Sequence, residues 1–206
     1  MSTKNILFVA ALALVATIVY HSLTGGQTEA EYVSGIQKKR TEKEEFMHTS
    51  DQSPFGKERK NFKTLNYFKP DTKYRIDARL VSIANKKMIT IPTSDGKENH
   101  YLEYAYAEFN FQNTPCRLLI LEITDDTPYK GSLFLAFADS TSANETYGGG
   151  RYLDVKKVPG ASTVVLDFNE AYNPYCAYAE NYSCPFPPKE NILSVAIRAG
   201  EKKYHE

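Results

Sequence analysis

The stretch HYLEYAYAEFNF at residues 100–111, QNTP at 112–115 and CRLLILEI at 116–123 decides the fold. The first block is rich in Tyr and Phe, which suit a pleated, half-buried surface. The second is a run of turn formers. The third is a short apolar run of strand length. Strand, turn and strand at this spacing predict antiparallel neighbours. Working outward, residues 74–83 repeat with period two, with Tyr74, Ile76, Ala78 and Leu80 on one face. Residues 87–91 form another short strand, set off by the turn signal Ser94-Asp95-Gly96-Lys97. Downstream, residues 133–138, 151–155, 163–168 and 193–198 complete about eight strands. Little helix intervenes, so parallel crossovers have no room. The expectation is a mainly β domain, an antiparallel barrel or sandwich of about eight strands.

Ahead of this domain lies the unbroken apolar run ILFVAALALVATIVY, residues 6–20. As a helix it would rise about 22 Å, against a hydrocarbon core of ~30 Å. Lys4 precedes it and no Lys or Arg follows until Lys38. The positive-inside rule then leaves the N-terminus in the cytoplasm and exports the rest. The run is read as a membrane helix, either an uncleaved anchor or a cleaved export signal. Next, Thr28-Glu29-Ala30-Glu31 is a capping box that opens a stretch without Pro, including the charged run at 38–45. This predicts a long, mostly solvated linker helix. The expected organisation is an export signal or anchor at 1–26, a helical linker at 27–50 and a single β-rich domain at 51–206. The expected location is membrane-anchored or secreted, facing the periplasm or cell exterior.

Composition removes several function classes. The 25 basic side chains balance 25 acidic ones, so no positive field exists to condense on nucleic acid. Four scattered His and no H-E-x-x-H give no pattern for a metal site. Gly148-Gly149-Gly150-Arg151 looks like a phosphate loop, but a strand pattern follows it where a phosphate loop needs a helix. A tight loop or bulge accounts for the three glycines better. No G-x-S-x-G elbow is present, and no cofactor is expected. Cys176 and Cys184 are candidates for a disulfide in an oxidising compartment, with two reduced thiols as the alternative. Cys116 reads as a small core residue.

Four segments are more specific than composition. They are Glu145-Thr-Tyr-Gly-Gly-Gly-Arg-Tyr-Leu-Asp154, the run from Asp167 to Tyr178, Cys184-Pro-Phe-Pro-Pro-Lys-Glu-Asn191, and Ile197-Arg-Ala-Gly-Glu-Lys202. Together they resemble the family called domain of unknown function 1684, over about residues 50–203. Phe186 and Ser194 depart from the residues frequent there. The resemblance implies a bacterial-type exported or membrane-attached protein and carries no activity with it.

Arg151, Asp167, Asn169, Asn173, Glu190, Asn191, Arg198 and Glu201 lie in or beside these segments. Asp167 and Asn169 stand where the apolar run Val164-Val165-Leu166 exits into an irregular segment, a usual place for a site on a rigid scaffold. Arg151 or Arg198 could hold a carboxylate or phosphate, and Asp167 or Glu190 could act as a base. The same residues could instead be an internal network in which Asp167 and the Asn amides cap loop backbone groups and Arg pairs with Glu or Asp. Two functions remain open. One is a non-catalytic envelope domain binding a small ligand, glycan or protein, with a small anion as the ligand in view. The other is a hydrolase acting on a small acidic or sugar-like molecule at the Arg/Asp/Asn cluster.

Overall fold

The hairpin read from residues 100–123 is the centre of the structure. A computed structural model describes residues 27–204. The expected membrane segment, residues 1–26, lies outside the described residues. Among those described, no helix is long and apolar enough to cross a membrane.

The chain divides into two compact units, Met1–Gly35 and Ile36–Glu206. Helix α1 (Glu29–Thr49) starts on the expected capping box, and its residues from Ile36 on belong to the second unit. Thr28 N–H donates to Glu31 Oε2 at 2.9 Å, and Glu31 N–H returns a bond to Thr28 Oγ1 at 3.2 Å.

In the second unit, seven strands form one antiparallel sheet: β1 (Arg75–Ser82), β2 (Met88–Pro92), β3 (Glu98–Phe111), β4 (Thr114–Ile123), β5 (Leu133–Phe137), β6 (Arg151–Leu153) and β7 (Thr163–Asp167). Their order is β6-β5-β4-β3-β1-β7, with β2 also paired to β3. The sheet curls into a half-barrel, so the expected closed barrel or sandwich is corrected to one open sheet. A two-bond bridge joins Tyr152 of β6 to Tyr172, in the segment that follows β7. The long strand β3 serves two partners on one edge. Its N-terminal half pairs with β2 and its C-terminal half with β1, on either side of a register shift at Glu103/Ala105. Between β3 and β4, Gln112 (φ 50°) and Asn113 (φ 65°) make the two-residue turn, both left-handed as a type I′ hairpin requires.

The apolar run in β4 is buried on both faces. Leu118 and Ile120 join the main core with Tyr74, Phe109, Phe137, Leu166 and Phe168. Leu119 and Leu121 join a second cluster with Ile91 and Tyr101. A third cluster gathers Met47 of α1 with Phe62, Leu65 and Tyr178. The C-terminal part of α1 thus packs onto the domain through Met47, while most of the helix's other side chains stay exposed.

The eighth expected strand, residues 193–198, is absent. Leu193 N–H bonds the Ala138 carbonyl at 2.8 Å and the Val195 carbonyl accepts from Ser140 N–H at 3.1 Å, and beyond these, side chains take over. The Arg151 guanidinium donates to the carbonyls of Ile197 (2.8 Å), Ala199 and Glu201 (3.2 Å). Ile197 N–H donates to Asp139 Oδ1 at 3.2 Å. Arg151 is fully buried and its charge is balanced by Asp139, 2.8 Å away. A buried ion pair thus takes the place of part of a strand ladder.

Candidate functional site

Four α1 side chains, Ile36, Lys39, Arg40 and Lys43, recur at the spacing of one helix face. They form one wall of a cavity of about 100 Å³. The opposite wall comes from Asn169, Glu170, Ala171 and Tyr172, with Tyr67 and Glu201 completing it. The chain reaches this place through a close backbone approach. Gly200 has φ 73°, and a Cβ there would sit 2.4 Å from the Ala171 carbonyl oxygen. Only glycine fits, and it lets Glu201 N–H bond that same oxygen at 2.9 Å. Glu201 is thereby held as a buried carboxylate beside the cavity.

The Glu201 oxygens are fully engaged. Lys43 and the Tyr178 hydroxyl donate to them in short bonds, Asn173 N–H at 2.9 Å and the Tyr67 hydroxyl at 3.4 Å. Lys43 also lies 4.8 Å from the Tyr172 ring centre, and the Arg40 guanidinium 4.4 Å from that of Tyr67. Arg40 donates to the carbonyls of Phe68 (2.9 Å) and Asn169 (3.4 Å), which fixes it in the cavity wall. Lys39 pairs with Glu170 at 2.5 Å. Three cations therefore line the cavity against two carboxylates, between tyrosine walls.

Burial pushes the phenols of Tyr67, Tyr152, Tyr172 and Tyr178 well above the ordinary tyrosine value. The charge of Glu201 adds to this at Tyr67 and Tyr178, and that of Asp154 at Tyr172. A proton held more tightly in the folded chain contributes stability that is complete below the unfolded pKa of about 10 and is lost as pH rises above it. Unfolding is therefore expected in alkali above pH ~10. Phenolate absorbance from these tyrosines should appear in the same transition as the loss of circular dichroism. A full phenolate signal while the dichroism stays native would contradict the burial.

The residues singled out in the sequence separate into four places. Asn169 and Glu201 line the cavity, and Asn173 reaches it through its backbone N–H bond to Glu201. Arg151 belongs to the neighbouring structural network and pairs with Asp139. Asp167 caps a 3-10 turn, accepting from Asn169 N–H at 3.1 Å and from Asn169 Nδ2 at 3.2 Å. Asn169 in turn brackets the Asp71 backbone, accepting from its N–H at 3.0 Å and donating to its carbonyl at 2.8 Å. Glu190 and Arg198 are exposed and line no part of the cavity. Arg198 pairs with Glu145 at 2.9 Å. Gly150 is confined by sterics, since a Cβ would lie 2.4 Å from Pro187 and 2.7 Å from the Phe137 carbonyl oxygen. Cys176 and Cys184 are adjacent free thiols. Among the described residues, no group of three or more His, Cys, Asp or Glu converges as a metal would need.

Lys39, Arg40, Lys43 and Tyr67 were not among the candidates read from the sequence. Their signal was present in the helix: Ile36 starts a stripe whose i+3, i+4 and i+7 positions are all basic.

Fold and site define a β half-barrel domain with an irregular polar cap and a small basic, aromatic cleft. The chain belongs to the family described as "Protein of unknown function (DUF1684)", whose model matches residues 60–202. Its structure is similar to the solution NMR structure of an uncharacterized protein from gene locus rrnAC0354 of Haloarcula marismortui. The two chains are 33% identical with a TM-score of 0.63, and the match covers 84% of this chain and 95% of that one. No curated protein matches the chain.

Proposed function

We propose that this protein is a non-catalytic binding domain, tethered at a membrane and facing the periplasm or cell exterior, that takes a small molecule bearing a compact anionic group. The observation that carries the ligand reading is the cleft itself. Lys39, Arg40 and Lys43 are set against Glu170 and Glu201, with tyrosine rings and Ile36 supplying apolar contact. A volume of about 100 Å³ suits a small carboxylate or phosphate and is too small for a glycan chain. The tether rests on residues 1–26, with Lys4 ahead of the apolar run at 6–20.

The binding reading is favoured over the hydrolase. A hydrolase needs a carboxylate free to take a proton from water, and both Glu201 oxygens already accept from Lys43, Tyr178, Tyr67 and Asn173. Among the described residues that line the cavity none is Ser, Thr, Cys or His, and the other carboxylate there, Glu170, is paired with Lys39.

The test is thermal unfolding of the purified chain with acetate, propionate, benzoate and inorganic phosphate. A ligand at a hundred times its Kd stabilises by about 2.7 kcal/mol. For a domain of this size that raises Tm by roughly 5–10 °C. Arg40→Met is expected to remove most of the rise. The reading is contradicted if every probe leaves Tm unchanged at saturating concentration, or if Arg40→Met keeps the full rise.

A further inference from the structure

Two of the three cysteines meet at the far side of the irregular segment. Cys176 sits in the 3-10 turn Tyr175–Ala177, and its N–H donates to Cys184 Sγ at 3.2 Å. The Tyr147 hydroxyl lies 3.7 Å from Cys176 Sγ. Cys184 is fixed on the turn between β2 and β3. Its N–H donates to Ser94 Oγ at 3.1 Å, and Ser94 N–H donates to its carbonyl at 2.9 Å. The adjoining Ser183 hydroxyl bonds Asp95 at 2.7 Å. One sulfur is therefore held on the hairpin and the other on the turn that leads into Tyr178. Cys176 is half-buried, while Cys184 and Cys116 are buried.

We propose that Cys176 and Cys184 are a thiol–disulfide exchange pair, Cys176 the attacking sulfur and Cys184 the resolving one, whose intrachain bond clamps the irregular segment to the β2–β3 turn. The oxidant is a small-molecule disulfide. The Cys176 thiolate attacks one of its sulfurs, which forms a mixed disulfide and releases one thiolate. Cys184 then loses its proton and attacks the Cys176 sulfur, forming the intrachain bond and releasing the second thiolate. The Cys184 proton ends on one released thiolate, and the other takes its proton from the solvent. The two electrons lost by the cysteines reduce the oxidant to two thiols.

The surroundings divide the two roles. The hydrogen bond from Cys184, with further donors at Tyr147 and Ser94, draws the Cys176 thiol below the ordinary cysteine value, which favours its thiolate. Cys184 is pushed up, chiefly because its proton is shared with Cys176 and then because it is buried. Burial alone raises Cys116. This inference is independent of the ligand cleft, which contains neither cysteine.

The experiment exposes the full chain, purified in detergent and fully reduced, to excess oxidised glutathione at neutral pH. Alkylation of remaining thiols and peptide mapping by mass spectrometry follow over time. The expected result is a transient glutathione adduct on Cys176, then a peptide pair joined through Cys176 and Cys184, with Cys116 alkylated only after denaturation. Cys184→Ser should stop at the stable adduct on Cys176, and Cys176→Ser should react at Cys184 at least about tenfold more slowly. Retention of all three thiols in the wild type, a lasting adduct without the intrachain link, or first reaction at Cys184 would each overturn the proposal. Should either variant fail to fold, the time course of the wild-type peptide map decides the matter.

Discussion

Arg151→Met is expected to destabilise the domain by about 3–5 kcal/mol, because truncating one member of a buried ion pair strands the other. For a chain of this size the corresponding fall in Tm is on the order of 10 °C. The stranded group is Asp139, whose own carboxylate is fully buried. Three carbonyls, of Ile197, Ala199 and Glu201, would also lose their donor. Methionine keeps most of the volume, so the loss reports polar groups and not a cavity. Asp139 organises its surroundings as well, accepting from Thr141 N–H at 2.8 Å and Thr141 Oγ1 at 2.7 Å. Asp139→Ala should therefore cost a similar amount. The double variant should cost less than the two single changes together, with a coupling of about 1–3 kcal/mol. Single variants that unfold at the wild-type temperature would show that the pair does not hold the C-terminal segment.

Asn191→Leu is the second large effect. Strands β4 and β5 pair only at Leu121↔Phe134 and Glu122↔Leu133, and then diverge. The Asn191 side chain fills the gap. Its Oδ1 accepts from Leu119 N–H at 2.6 Å, and its Nδ2 donates to the carbonyls of Leu119 (2.9 Å) and Ala136 (2.7 Å). Leucine has nearly the same size and satisfies none of the three. Each buried backbone group left dry costs about 1–3 kcal/mol. The urea midpoint should fall sharply with its slope unchanged. A loss under about 1 kcal/mol would mean that these strand groups find other partners.

These two residues also explain which parts of the fold were legible in the sequence. The β3–β4 hairpin was legible because its information is local: an aromatic-rich strand on one side, an apolar run of strand length on the other, and Gln112-Asn113 between them. The absent strand at 193–198 was not. An apolar run of strand length reads the same whether its carbonyls meet a neighbouring strand or the Arg151 guanidinium, 46 residues away at Ile197. Asp139 gave no signal of its own, since a single carboxylate after an apolar strand resembles any loop residue. At the cleft, Asn169 and Glu201 were readable from the specific C-terminal segments. Lys43 was not, because its partner Glu201 is 158 residues distant and a charged helix run looks solvated until that partner is placed. Arg198 and Glu190 share those segments with Glu201 but point to solvent, a distinction that sequence proximity does not encode.

The central claim is that the cleft between α1 and the turn at 168–170 takes a small anion. Its most direct test is an NMR titration of the isotope-labelled protein with propionate, benzoate and inorganic phosphate, mapped by amide shifts. The account predicts saturable shifts concentrated at Lys39, Arg40, Lys43, Asn169, Glu170 and Tyr172, the residues that line the cavity. Shifts centred on exposed Arg198 instead, or no saturable change at millimolar probe, would contradict it.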